Sequence, residues 1–225
     1  MTSPRRRAGR PAHPIERPAL VAIAAQAFAE RGYAAASLGE IAAAAGLRKA
    51  SLYHHFPAKE ALYNAVLDTT VGELRALLLA AGLDAGDFAG RLDRLGALMI
   101  DYFVEHPHAA KLLTRELAGD GDYLRGAGGA QVMVNLHATA AFLQAGMDAG
   151  AFRRQDPRQL VMSIVGLHVF YFATASLASD FVGKDVRAAA TVAARKAAVL
   201  AQVRGMCLAA PPTAAPPSTA RRRRG

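Results

Sequence analysis

The sequence predicts an all-α chain, a small N-terminal three-helix unit containing a helix-turn-helix followed by a larger helical body. Three observations lead there. No run alternates apolar and polar residues as a half-buried strand would, and apolar residues recur at helical spacing in segment after segment. The segments are separated by glycine and proline breaks such as Gly46-Leu47, His106-Pro107 and AGDGD, which stop helices rather than join strands.

Pro18 suits the first turn of an opening helix that runs to Arg31 with Leu20, Ile23, Ala27 and Phe28 on one face. Ser37 is then a candidate N-cap, and Glu40, three residues on, makes the pair a candidate capping box. The short helix from Leu38 carries Ile41 and several alanines whose small side chains admit a close neighbour. It stops at Gly46, a residue suited to a left-handed C-terminal position. The next helix, residues 48–55, sends Leu52 and Phe56 inward at i,i+4 and distributes Arg48, Lys49, Ser51, Tyr53, His54 and His55 over the other faces. Pro57 ends it. Lys59 opens a long helix to about residue 83, with its cation at an end whose free N–H groups favour an anion.

A loop is expected at residues 81–86, then a helix over 87–105 with Phe88, Leu92, Leu95, Leu98, Met99, Tyr102 and Phe103 at helical spacing. Pro107 begins a helix to about 117, and further helices are predicted over 123–149, 157–179 and 185–208. Residues 160–177 carry no charge and are apolar nearly all round, so they bury more surface than one neighbour covers. A second copy of the chain or a fully buried central position would each satisfy that requirement.

With 225 residues, 52% of them hydrophobic, the chain can bury a sizeable core. Its net charge of +9 is concentrated at the ends: Arg5, Arg6, Arg7 and Arg10 in residues 1–14, and Arg221 to Arg224 at the close, with no acid in either tail. The remaining 19 Lys and Arg against 18 Asp and Glu leave the body at +1. Both tails, 1–14 and 209–225, are poor in core-forming residues and are expected to be disordered basic arms that supply long-range attraction to a polyanion. The lone Cys207 excludes an internal disulfide and a CxxC metal site and fits a reducing compartment. No apolar h-region follows the N-terminal charges, and the uncharged run at 160–177 is broken by polar groups such as Ser163, His168 and Thr174, so the expectation is a cytoplasmic protein with no membrane partner. No metal or cofactor is expected. Glu105-His106-Pro107-His108 is the one dense polar cluster, but it lacks the HExxH spacing that puts two imidazoles on one helical face, so an enzyme is not expected.

Residues 17–65 resemble the DNA-binding domain of the TetR family of transcriptional regulators. The likeness rests on ordered landmarks: Leu20, Ala24 and Phe28, Gly32-Tyr33, Ile41-Ala42, Ala45-Gly46-Leu47, Leu52-Tyr53-His54-His55-Phe56 and Lys59-Glu60-Ala61-Leu62. Arg48 stands where the family usually has Ser or Thr, and Ala50 where it often has Gly, so base preference cannot be carried over. The resemblance implies a DNA-binding domain at 15–62, a ligand-binding and dimerisation domain at 63–208, and pairing through the last two long helices. Two recognition helices on a two-fold axis would then read a palindromic operator.

On that footing Ser37, Arg48, Lys49, Ser51, Tyr53, His54 and Lys59 are the candidate DNA contacts. Charged residues at these positions would otherwise be a solvated face, Tyr53 a core aromatic with an exposed hydroxyl, and His55 a packed neighbour of Phe56. The segment RRRAGRP resembles the Arg-Gly-Arg-Pro core of minor-groove hooks with one residue changed, which adds Arg5, Arg6, Arg7 and Arg10. The family also implies a small-molecule effector held among helices of the second half. Isolated polar groups there are Asp101, Tyr102, His106, Arg115, Glu116, His137 and His168, each of which would also serve as a satisfied core or interface group. A ligand-independent architectural DNA binder is the competing reading, because basic tails attract any duplex.

Overall fold

The computed structural model describes residues 15–82, 87–119 and 122–208. Among these residues every regular element is helical, and the one β interaction is an isolated bridge between Phe152 and Leu208. The head comprises α1 (Arg17–Ala35), α2 (Leu38–Ala44), α3 (Lys49–His55) and the first half of α4 (Lys59–Ala80). Pro18 occupies the first turn of α1 as expected, and Gly32, with φ 77°, breaks the helical dihedrals near its end. Leu20, Ala24 and Phe28 from α1, Ile41 from α2, Leu52 and Phe56 from α3, and Leu62, Val66 and Leu67 from α4 form one buried cluster.

That cluster does not end at residue 62. Leu112 of α6 (Ala109–Leu117) and Tyr123 of the 3₁₀ turn Tyr123–Arg125 are part of it. Leu74 and Leu77, farther along α4, instead pack against the core of the body. That second core is built by α5 (Phe88–Glu105), α7 (Ala127–Asp148), α8 (Pro157–Ala173) and α10 (Ala189–Cys207), with Ile100, Phe103, Phe142, Leu143, Phe172 and Val199 at its centre.

Several boundaries differ from the sequence reading. The linking helix ends at Ala80, and residues 83–86 of the expected loop lie outside the described residues. The helix predicted from residue 123 starts as a 3₁₀ turn and becomes α-helical only at Ala127, after Gly126 adopts extended dihedrals. The segment 157–179 is not one helix. It bends by 82° between α8 and α9 (Ala175–Val182) at Thr174, whose hydroxyl donates to the Phe170 carbonyl at 2.8 Å. A threonine that bonds back to i−4 offers the backbone an alternative to the helical ladder, and apolar periodicity does not register it. The last helix starts at Ala189 rather than 185, because the Asp185 carboxylate accepts from the Arg187 N–H at 2.9 Å and holds a turn there. No single helix among the described residues is long and apolar enough to cross a membrane.

Candidate nucleic-acid interface and internal cavity

The α2–turn–α3 unit is held by its backbone. Gly46 takes φ +67°, the Leu47 N–H donates to the Ala42 carbonyl at 2.8 Å and the Gly46 N–H to Ala43 at 3.0 Å, so the carbonyls at the end of α2 are satisfied and the chain turns sharply. From there α3 sorts its residues by row. Leu52 and Phe56 are buried, Ser51 and His55 are half-buried, and the rows Lys49/Tyr53 and Ala50/His54 are exposed, Tyr53 by 44%. Arg48, at the N-cap, is also exposed and makes no side-chain cap bond. The structure thus leaves Arg48, Lys49, Tyr53 and His54 exposed, with Ser51 half-buried.

The capping expectation at this surface is corrected. Ser37 has the extended backbone of an N-cap, but its side chain makes no cap bond and the capping box with Glu40 does not form. The Glu40 carboxylate pairs with the Arg31 guanidinium instead, since a full opposite charge attracts it more strongly than a neutral N–H. Lys59, a candidate phosphate contact, is anchored at one of its three donors. Its Nζ donates to the Ala34 carbonyl at 3.0 Å and sits 4.9 Å over the Tyr33 ring, tying the start of α4 to the end of α1. Arg17, which the sequence reading passed over, lies 4.4 Å over the Phe56 ring at the far end of α3. Arg5, Arg6, Arg7 and Arg10 lie outside the described residues.

Between α4, α5, α6, α7 and α8 lies an internal cavity of about 180 Å³, walled by side chains such as Val71, Leu74, Met99, Leu136, Phe142 and Val165. Of the seven polar groups picked out from the sequence, His168 and Glu116 line it. The His168 Nδ1 stands 2.8 Å from the Ile164 carbonyl and must donate to it, since a carbonyl only accepts, while Nε2 has no partner. Burial lowers the pKa of this imidazole, outweighing the Ile164 and Gly96 carbonyls that favour the charged form.

The other five are elsewhere. Asp101 pairs with Lys196 at 2.6 Å, joining α5 to α10. Arg115 donates from Nε to the Ala29 carbonyl at 3.2 Å and from Nη2 to Glu30 at 3.4 Å, near the end of α1. His137 is exposed on α7. Tyr102 faces a separate open groove between the head and the α5–α6 turn, where its hydroxyl donates to Glu73 at 2.9 Å and its ring stacks on His106 at 4.5 Å. Burial, then the Glu73 charge, raise the pKa of its phenol. Asp101, Arg115 and Tyr102 each satisfy a structural partner that periodicity cannot foresee, because the partner comes from another helix.

The sequence reading missed Asn135 and Thr139, which do line the cavity. Polar residues four apart mark one row of a helix, a signal present in the sequence but indistinguishable from a solvated row until the neighbours of α7 are known. Glu116 also reaches the cavity and accepts from the Tyr63 hydroxyl and the Leu124 N–H, each at 3.0 Å. Among the described residues no cluster of three or more His, Cys, Asp or Glu suited to a metal is present.

The sequence matches known proteins at both ends of this architecture. Residues 20–66 match the family model described as bacterial regulatory proteins, tetR family, and residues 89–203 match the tetracyclin repressor-like C-terminal domain. The transcriptional repressor KstR2 of Rhodococcus jostii is 44% identical over 70 residues, covering 29% of this chain and 34% of that protein. The regulator RutR of Escherichia coli is 26% identical over 146 residues, 65% of this chain and 68% of its own length. The chain spans about a third to half of the length of the KstR2 relatives it matches. In fold, the ketosteroid regulator KstR2 of Mycobacterium tuberculosis aligns with a TM-score of 0.70 at 21% identity, over 86% of this chain and 95% of that one. AibR, solved in complex with isovaleryl coenzyme A and operator DNA, aligns with a TM-score of 0.66 at 20% identity, over 83% and 96%. With family models matched over both the helix-turn-helix head and more than half of the chain in the body, this protein belongs to the TetR family of bacterial regulators.

Proposed function

We propose that the chain is a transcriptional repressor of the cytoplasm that binds a palindromic DNA operator as a homodimer and is released by a small-molecule effector held in the internal cavity. Residues 15–62 act as the reading head, 63–208 as the sensing and pairing body, and the basic arms 1–14 and 209–225 add affinity that is independent of sequence.

The observation that carries the reading is the double duty of α4 and α6. Leu67, Val71 and Leu74 of α4 and Leu113, Glu116 and Leu117 of α6 line the cavity. The same helices hold the head: α4 carries Leu62 and Val66 in its core, Arg115 bonds the end of α1, and Glu116 accepts from Tyr63. A ligand that moves α6 against α4 therefore shifts the heads, and a coupling of about 1–3 kcal/mol changes operator affinity roughly 5- to 150-fold. Pairing is supported by Met162, Phe170, Leu177 and Phe181, large apolar side chains on α8 and α9 that a single chain leaves exposed. AibR, a neighbour in fold, was solved with both a small molecule and DNA.

Selection of bound duplexes from a random pool tests the core of this reading. Enrichment of a palindrome with half-sites about one helical turn apart is expected. Binding that enriches nothing and varies only with salt would favour the architectural alternative instead.

A further inference from the structure

Resting on the reading of the cavity as the effector site, we propose that its occupant is a small, neutral, largely apolar molecule that donates a hydrogen bond, an alcohol or phenol of about one ring, and not an acid. The argument is an account of donors and acceptors. Asn135 gives its amide N–H to the Val71 carbonyl at 3.1 Å, which leaves Oδ1 as an acceptor without a partner. His168 donates from Nδ1 to Ile164, which leaves Nε2, the bare nitrogen of a neutral ring, beside the Gly96 carbonyl and without a donor, as a second. Thr139 donates its hydroxyl to the Asn135 carbonyl at 3.0 Å, so its oxygen is free only to accept. Glu116 is already an acceptor at both oxygens.

Apart from the second N–H of the Asn135 amide, the potential donors in the wall are committed. The Tyr123 hydroxyl donates to Asp68 at 2.9 Å, and the Leu124 N–H goes to Glu116. Among the described residues no Lys or Arg lines the cavity, so a carboxylate or phosphate would meet mostly acceptors and the buried Glu116 carboxylate, with no cation to offset its charge. A ligand with one or two O–H groups meets partners that the empty protein leaves unpaired. Size follows from volume: about 180 Å³ is slightly more than the ~150 Å³ of an apolar cavity able to hold benzene. Gly96, in the cavity wall, lets Leu200 of α10 pack close behind it, since a Cβ there would come within 2.8 Å of that side chain.

The test uses the full-length protein and four probes of one ring: benzyl alcohol, toluene, benzoate and benzylamine, with dissociation constants from ligand-observed NMR. The alcohol is expected to bind at least as tightly as toluene, and benzoate not to bind. In Asn135→Leu and in His168→Phe the ratio of alcohol to toluene affinity should fall roughly three- to tenfold, the loss of one net hydrogen bond. Asn135 is only half-buried, so its variant stands in should His168→Phe fold poorly. An unchanged ratio in both variants, tight benzoate binding, or benzylamine outbinding the alcohol would each overturn the assignment. Alcohol binding that leaves the affinity for the selected operator untouched would sink the effector reading while sparing the ligand class. Release of operator by larger molecules when none of the four probes binds would do the reverse.

Discussion

At the scale of single residues, two serine and aspartate caps separate what composition suggests from what geometry grants. Ser37 sits at an N-cap and bonds nothing there, whereas Asp156 accepts from the Arg158 N–H at 2.8 Å at the start of α8. Asp156→Ala should therefore destabilise the chain by about 1 kcal/mol, and Ser37→Ala by no more than a few tenths. Urea midpoints of the two variants decide it, and equal losses would restore the capping box. His168 gives a pH signature. Its folded pKa lies below the unfolded value of about 6.5, so between the two the unfolded chain binds more protons and stability rises with pH. Stability is full above about 6.5 and falls as pH drops toward the lower folded value, with a slope of up to ~1.4 kcal/mol per unit from this one group. His108, lowered chiefly by burial, acts in the same direction. Unfolding midpoints measured at pH 7.5 and 5.5 should converge in His168→Phe, and a variant as pH-sensitive as the parent would refute the assignment.

At the scale of elements, α3 is small enough to be predicted by row. Lys49 and Tyr53 share an exposed row, one turn apart, beside the row of the buried Leu52 and Phe56. Replacing both with alanine removes side chains of an exposed row, so the head should keep its melting temperature within a few degrees, about the effect of surface substitutions, while operator affinity falls at least roughly tenfold. Fluorescence anisotropy on the selected operator reads the second quantity, and unchanged affinity would move the DNA surface elsewhere. The rows were legible because a helix repeats every ~3.6 residues and the apolar partner row is fixed by Leu52 and Phe56. The seat of Lys59 was not, because the carbonyl it finds belongs to Ala34, 25 residues earlier in the chain.

At the scale of the whole molecule, the apolar α8–α9 face and the charged tails make separable predictions. Met162 and Phe170 are exposed by 57% and 65%. Met162→Glu with Phe170→Glu should yield a folded monomer by sedimentation, with half-site recognition retained only weakly, because the second head no longer adds its contacts. A stable dimer in that variant would show that another face pairs the chains. Deleting residues 1–14 and 211–225, which hold eight of the nine net positive charges, should flatten log affinity against log salt and leave half-site preference unchanged. An unaltered slope would mean that the arms do not touch DNA.

Periodicity, glycine and proline placement and the ordered head landmarks, all local properties of the chain, determined that this protein is all-helical and where its reading helix lies. Leu52, Phe56, Gly46 and Pro57 act within a few residues of one another, and such signals survive in one dimension. Only the tertiary structure decided which polar groups face the cavity. Asp101, Arg115 and Tyr102 look as suitable as His168 along the sequence, yet each meets its partner on an element distant in the chain: Lys196, Ala29 and Glu73. Asn135 and Thr139 became cavity residues because α4 and α8 pack on either side of α7, a relation that no spacing within α7 encodes. A side chain's role depends on what stands opposite it, and in a helical body the opposite wall comes from other helices.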